Sequence, residues 1–76
     1  MKELLTYIAR NLVDNPDQVE VTEQAGDGEI TLELRVAPED MGKVIGRQGR
    51  IAKEIRAVVR AYAQRLNTRV TVDIID

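Results

Sequence analysis

The chain has 76 residues, with 11 basic side chains against 13 acidic ones, a net charge of −2, and no Cys, His, Trp, Phe or Ser. Its length allows one small domain, which buries only about 60% of the surface its unfolded chain exposes. No disulfide, thiolate nucleophile, imidazole base, zinc site or Ser/Cys–His triad can be built, so no enzyme, no metal and no cofactor is expected.

From Lys2 to Val13 the apolar residues Leu4, Leu5, Ile8, Ala9, Leu12 and Val13 recur at helical spacing and form one core-facing stripe. Asp14-Asn15-Pro16 ends that helix, because a residue before proline is pushed out of the helical region. Two alternating runs follow. Val19 and Val21 alternate with Glu20 and Thr22, then Ile30, Leu32, Leu34 and Val36 alternate with Glu29, Thr31, Glu33 and Arg35. Between them Gly26-Asp27-Gly28 supplies the positive φ of a tight hairpin, so residues 19–25 and 30–36 are expected to pair antiparallel.

Ala37-Pro38-Glu39-Asp40 reads as a helix start, with Pro38 pre-set for the first turn and two acids complementing the dipole. Met41, Val44 and Ile45 are the apolar stripe of this short helix, and Gly46 ends it. A longer helix runs from about Arg50 to Leu66. Ile51, Ile55, Val58, Val59, Tyr62 and Leu66 lie on its core side, with Lys53, Arg56 and Arg60 nearly opposite. Asn67-Thr68 breaks it, and residues 70–75 form the closing strand, paired beside the second. The two-helix crossover leaves those strands parallel. The expected fold class is α+β: helix, strand, strand, helix, helix, strand, with a three-stranded mixed sheet and three helices on one face.

Charge is divided unevenly along this order. Residues 1–40 carry three bases against ten acids (−7), and residues 41–76 carry eight bases against Glu54, Asp73 and Asp76 (+5). The division suggests a polyanion-binding face on an acidic body, although a solvated basic helix face would give the same count. Met1–Arg10 lacks the succession of a signal peptide, and no run approaches the roughly 20 apolar residues of a membrane span. The expectation is a soluble cytoplasmic protein that does not engage a membrane.

The segment Val44-Ile45-Gly46-Arg47-Gln48-Gly49-Arg50-Ile51 joins the two helices. Two glycines three apart make a turn tight enough to bring a backbone against its ligand. The N–H groups opening the next helix carry the positive end of its dipole. Arg47 and Arg50 flank that point, Lys43 lies one turn before Gly46, and Lys53 one turn beyond. The result is a candidate site for phosphodiester oxygens. A bare Gly-x-x-Gly is more often a helix C-cap followed by a turn; here the loop is basic and lies between two helices that lie between strands. The nucleotide P-loop and the dinucleotide fingerprint both fail, since Gly42, Gly46 and Gly49 match neither spacing.

That segment, its place between two helices and the element order resemble a type II KH domain, over essentially the whole chain. The run Gly42-Lys43-Val44-Ile45-Gly46-Arg47-Gln48-Gly49-Arg50-Ile51-Ala52-Lys53 is most similar to the small bacterial members that consist of a single KH domain. The resemblance implies one KH domain over residues 1–76 and single-stranded RNA clamped by its backbone at the loop. The RNA-binding residues it implies are Gly46, Arg47, Gln48 and Gly49, with Lys43, Arg50 and Lys53 beside them. Ile45 and Ile51 are implied as the floor of an adjoining groove. It further implies an RNA chaperone or post-transcriptional regulator affecting cell shape and wall biogenesis. The implied assembly is a homodimer, or a heteromer with a second small KH/RNA-binding protein. A KH-shaped module for protein partners, with RNA incidental, is the alternative. Tyr7 and Tyr62, the two aromatic residues, are expected in the core or at a partner contact rather than stacked on bases.

Overall fold

In the computed structural model, which describes residues 1–75, the elements follow the expected order. Asp76 lies outside the described residues. Helix α1 is Lys2–Leu12, β1 Glu20–Gly26, β2 Glu29–Arg35, α2 Met41–Ile45, α3 Arg50–Arg65 and β3 Arg69–Ile75. Short 3-10 turns at Pro16–Gln18, Pro38–Asp40 and Arg47–Gly49 join them. The hairpin closes with Gly26 opposite Glu29, and Gly28 takes φ +69°. β2 is central, antiparallel to β1 and parallel to β3, with Val21, Leu34 and Ile74 in one cross-strand row.

The alternation of β2 sets the layers. Leu32 and Leu34 are fully buried, together with Leu5 and Ala9 of α1, Val44 of α2 and Val59 of α3. One sheet face therefore carries the helices. The other face is polar, with Thr22 donating across the β1–β2 pair to Glu33. No helix among the described residues is long and apolar enough to cross a membrane.

The strand boundaries differ from expectation by one residue, with β1 at Glu20–Gly26, β2 at Glu29–Arg35 and β3 opening at Arg69. Two helix boundaries and one face also differ. α1 stops at Leu12, and Val13 is already extended (φ −100°, ψ 162°), because the next two N–H groups, of Asp14 and Asn15, turn to the Asp40 carboxylate. Pro38–Asp40 is a 3-10 turn that leads into α2 rather than its first turn. On α3 the buried stripe is Ala52, Ile55, Val59 and Ala63, while Val58, Tyr62 and Leu66 stay 44–53% exposed. Two alanines on the inner face let α3 pack on the sheet and shift the buried arc away from the larger apolar residues. Tyr7 is 68% exposed, so neither tyrosine belongs to the core. Arg56 is half-buried, not solvated, and its Nε–H donates to the carbonyl of Val72 on edge strand β3 at 3.0 Å.

Candidate nucleic-acid interface

Gly46 closes α2 and opens the loop at φ 76°, ψ 174°, a conformation essentially reserved for glycine. Its own N–H donates to the Gly42 carbonyl at 2.8 Å. Gln48 (φ 58°, ψ 24°) and Gly49 (φ 75°, ψ 14°) then take two consecutive left-handed positions, and Arg50 resumes a right-handed helix. Two such residues in succession reverse the chain within three positions. α2 and α3 thereby come into contact around Val44, Ile51 and Ile55.

The turn uses some of its donors and leaves others. The N–H of Gly49 donates to the Gly46 carbonyl at 3.1 Å, and that of Arg50 donates to the Arg47 carbonyl. The N–H groups of Arg47 and Gln48 enter neither of these two bonds. They stand at the apex of the loop, ahead of the first turn of α3. Arg47, Gln48 and Arg50 are exposed, as is Lys53 one turn along α3. Among the described residues none of these three cations has a carboxylate within 4.0 Å. Backbone amides of a tight turn within a cluster of exposed positive charge form an anion site of the kind that phosphate oxygens fill.

The structure separates other residues that the sequence grouped together. Ile45, 37% exposed, lines a hollow of about 450 Å³ with Val36, Pro38 and Met41. Ile51 lies elsewhere, beneath Gly46 and along a groove between α1 and α3 with Leu4, Tyr7, Ile8 and Val58. The two isoleucines thus do not share a floor. The apolar surface beside the loop comes from Ile45, Met41, Pro38 and Val36. Of these, the sequence pattern points only to Ile45, because the others read as core or as a helix start.

Lys43 is also displaced from the cluster. Met41 and Ile45 are one turn apart on α2, so residue 43 projects from the opposite side. There its Nζ is 3.3 Å from an oxygen of Asp14. The same corner holds Asp40, 1% exposed, which accepts from the Asp14 N–H (3.2 Å), the Asn15 N–H (2.9 Å) and Asn15 Nδ2 (3.0 Å). Burial pushes the Asp40 carboxyl up. The hydrogen bonds from Asn15 and Asp14, with the nearby Lys43 ammonium, outweigh it and hold the group below its ordinary value. This corner pins α2 to the end of α1 and so fixes where the loop begins.

Comparison with known proteins agrees with this architecture. The family model described as KhpA/KhpB, KH domain, matches residues 2–74. An RNA-binding protein KhpA of Clostridium acetobutylicum is 63% identical over 75 residues, covering 99% of this chain and all of that protein. The protein of that name from Caldanaerobacter subterraneus is 60% identical over 75 residues, again 99% of this chain and all of its own length. The one from Aquifex aeolicus is 42% identical over the whole of this chain and 96% of its own. Among solved structures, Era in complex with MgGDPNP and nucleotides 1506–1542 of 16S ribosomal RNA superimposes with a TM-score of 0.71 at 21% identity. That match covers 96% of this chain and 28% of Era, and it shows a shared fold. The chain belongs to the KhpA/KhpB family of KH domains.

Proposed function

We propose that this protein is a single-stranded RNA-binding protein, one KH domain over residues 1–76, which holds the RNA backbone at Gly46–Gly49. The observation that carries this reading is the glycine-bounded turn, with two consecutive left-handed residues and Arg47, Arg50 and Lys53 exposed around it without a carboxylate within 4.0 Å among the described residues. The apolar hollow of Ile45, Met41, Pro38 and Val36 gives a base a dry surface beside that clamp. Lys43, turned to Asp14, contributes to the position of α2 rather than to the phosphate contact. The relatives named RNA-binding proteins support the same reading. Its test is a titration of short single-stranded RNA against the wild-type protein and an Arg47→Asp/Gln48→Asp variant. Wild-type affinity in the folded variant would remove the loop from the interface.

In the cell this reading makes the protein a cytoplasmic RNA chaperone or post-transcriptional regulator, with cell shape and wall biogenesis as the processes it serves. It acts beside a partner, either a second copy or a KhpB-like RNA-binding protein. The exposed Tyr7, Val58, Tyr62 and Leu66 support such a contact, because so small a domain leaves little apolar surface in water without a use for it. That surface is also what favours the second reading, a KH-shaped protein-interaction module. A variant with charged residues at Val58 and Tyr62 that keeps RNA affinity but loses the partner separates the two roles.

A further inference from the structure

At the end of the molecule away from the loop, α3 and β3 enclose a second concavity of about 300 Å³. Arg60 and Gln64 line it from α3, Thr68, Arg69 and Thr71 from the start of β3, and Glu29 from β2. Arg60 and Arg69 are exposed, and among the described residues neither has a carboxylate within 4.0 Å, although Glu29 shares the hollow. Two guanidinium groups from different elements therefore converge on one space with a single acid. The C-terminal end of α3 disfavours an anion there, so any attraction must come from the arginine side chains themselves.

The hollow is connected to the loop by charge. Lys53, Arg56 and Arg60 follow one another at helical spacing of three and four along α3, on the side that Arg56 ties to β3. Arg50 and Arg60 are ten residues apart, about 15 Å along the axis. A strand stacked at about 3.4 Å per nucleotide covers that distance in four to five steps. We propose that Arg60 and Arg69 form a second phosphate subsite, which a single strand already held at Gly46–Gly49 reaches only when it extends past the clamped nucleotides. Glu29 weakens this subsite and keeps it from binding phosphate alone. The inference rests on the loop reading, because it concerns the same strand farther along its path.

Oligoadenylates of four and ten nucleotides test it, with affinities read by anisotropy and amide shifts. In the wild-type protein the 10-mer, and not the 4-mer, shifts the amides of Arg69 and Thr71, and it binds at least about tenfold tighter beyond the factor given by its extra registers. Arg60→Gln/Arg69→Gln loses that gain and leaves 4-mer affinity unchanged. Glu29→Gln increases the gain without affecting the 4-mer. Equal losses for both lengths, or no loss for either, in the folded double variant would overturn the subsite. So would a wild-type 10-mer that leaves Arg69 and Thr71 unshifted. A folded Arg47→Asp/Gln48→Asp variant that binds the 4-mer as wild type would instead overturn the loop reading, and the extension with it.

Discussion

A β-carbon added to Gly46 would lie 2.6 Å from Cγ1 of Ile51 and 2.9 Å from its backbone nitrogen. The first turn of α3 is therefore packed against the exit of α2 with no room for a side chain, and Gly46 also has a φ of +76°. Gly46→Ala should cost at least about 2 kcal/mol from clash and strain together. Gly49 meets nothing within 4 Å, so Gly49→Ala should cost only the left-handed penalty, about 1 kcal/mol. Urea unfolding of the two variants checks the order. Equal costs would mean that the close approach to Ile51 is not a constraint.

Leu34 pairs with Val21 on one side and Ile74 on the other, and it is fully buried under the helices. Leu34→Asp puts an unpaired carboxylate there, at several kcal/mol against the roughly 5 kcal/mol that so small a domain has. The variant should be unfolded at neutral pH by circular dichroism. A cooperative melt at the wild-type temperature would contradict the burial.

Strand order, strand direction and hairpin were all legible in the sequence, because a period of two and a Gly-Asp-Gly turn leave few alternatives. The loop was legible too, since two glycines at that spacing between helical stripes point to one kind of turn. The faces of α3 were not. Counting large apolar residues placed Val58 and Tyr62 inward, but a helix packs closest where its residues are small, at Ala52 and Ala63. Nor was the fate of Lys43 and Asp40 visible. Lys43 read as part of the loop's basic cluster and Asp40 as an acid at a helix start, and their partners Asp14 and Asn15 are more than 20 residues away in the chain.

Arg56 should contribute to stability. Its Nε–H bond to the Val72 carbonyl is charge-assisted and half-buried. Arg56→Ala should lower unfolding stability by about 1–2 kcal/mol, with the loss shared between that bond and the packing of the side-chain stem. Urea denaturation measures it. If stability is unchanged, the bond to edge strand β3 contributes nothing.

Asp40 gives the fold an acid limit. Its folded carboxyl titrates below its ordinary value, so its ionised form stabilises the native state fully at neutral pH. That contribution is lost as the pH falls through the ordinary carboxylate range, about 4, and on through the lower folded value. Asp40→Asn should lower stability at pH 7 and flatten its decline below pH 5, because the variant has no proton to take up at this position. Melting temperatures of both proteins from pH 7 to pH 3 test this. Parallel curves would show that Asp40 does not set the limit.

The clamp itself is tested by replacing the two residues between its glycines. Gln48 has φ 58°, a left-handed position that Asp adopts more readily than Gln, so Arg47→Asp/Gln48→Asp should keep the turn. Two carboxylates would then stand where a phosphate is to be held, and the Arg47 charge would be gone. Affinity for single-stranded RNA should fall at least tenfold, about 1.4 kcal/mol. The slope of log affinity against log salt should shrink by about 0.7, the share of one phosphate contact on a single strand. Lys43→Ala is the matched comparison. It removes a charge from the same segment, but one already turned to Asp14 on the far side of α2, so affinity and slope should both stay near wild type. If Lys43→Ala weakens binding as much as the double variant does, attraction comes from the total charge of residues 41–53 rather than from the loop apex. Binding titrations at four salt concentrations decide between these, provided that circular dichroism shows both variants folded.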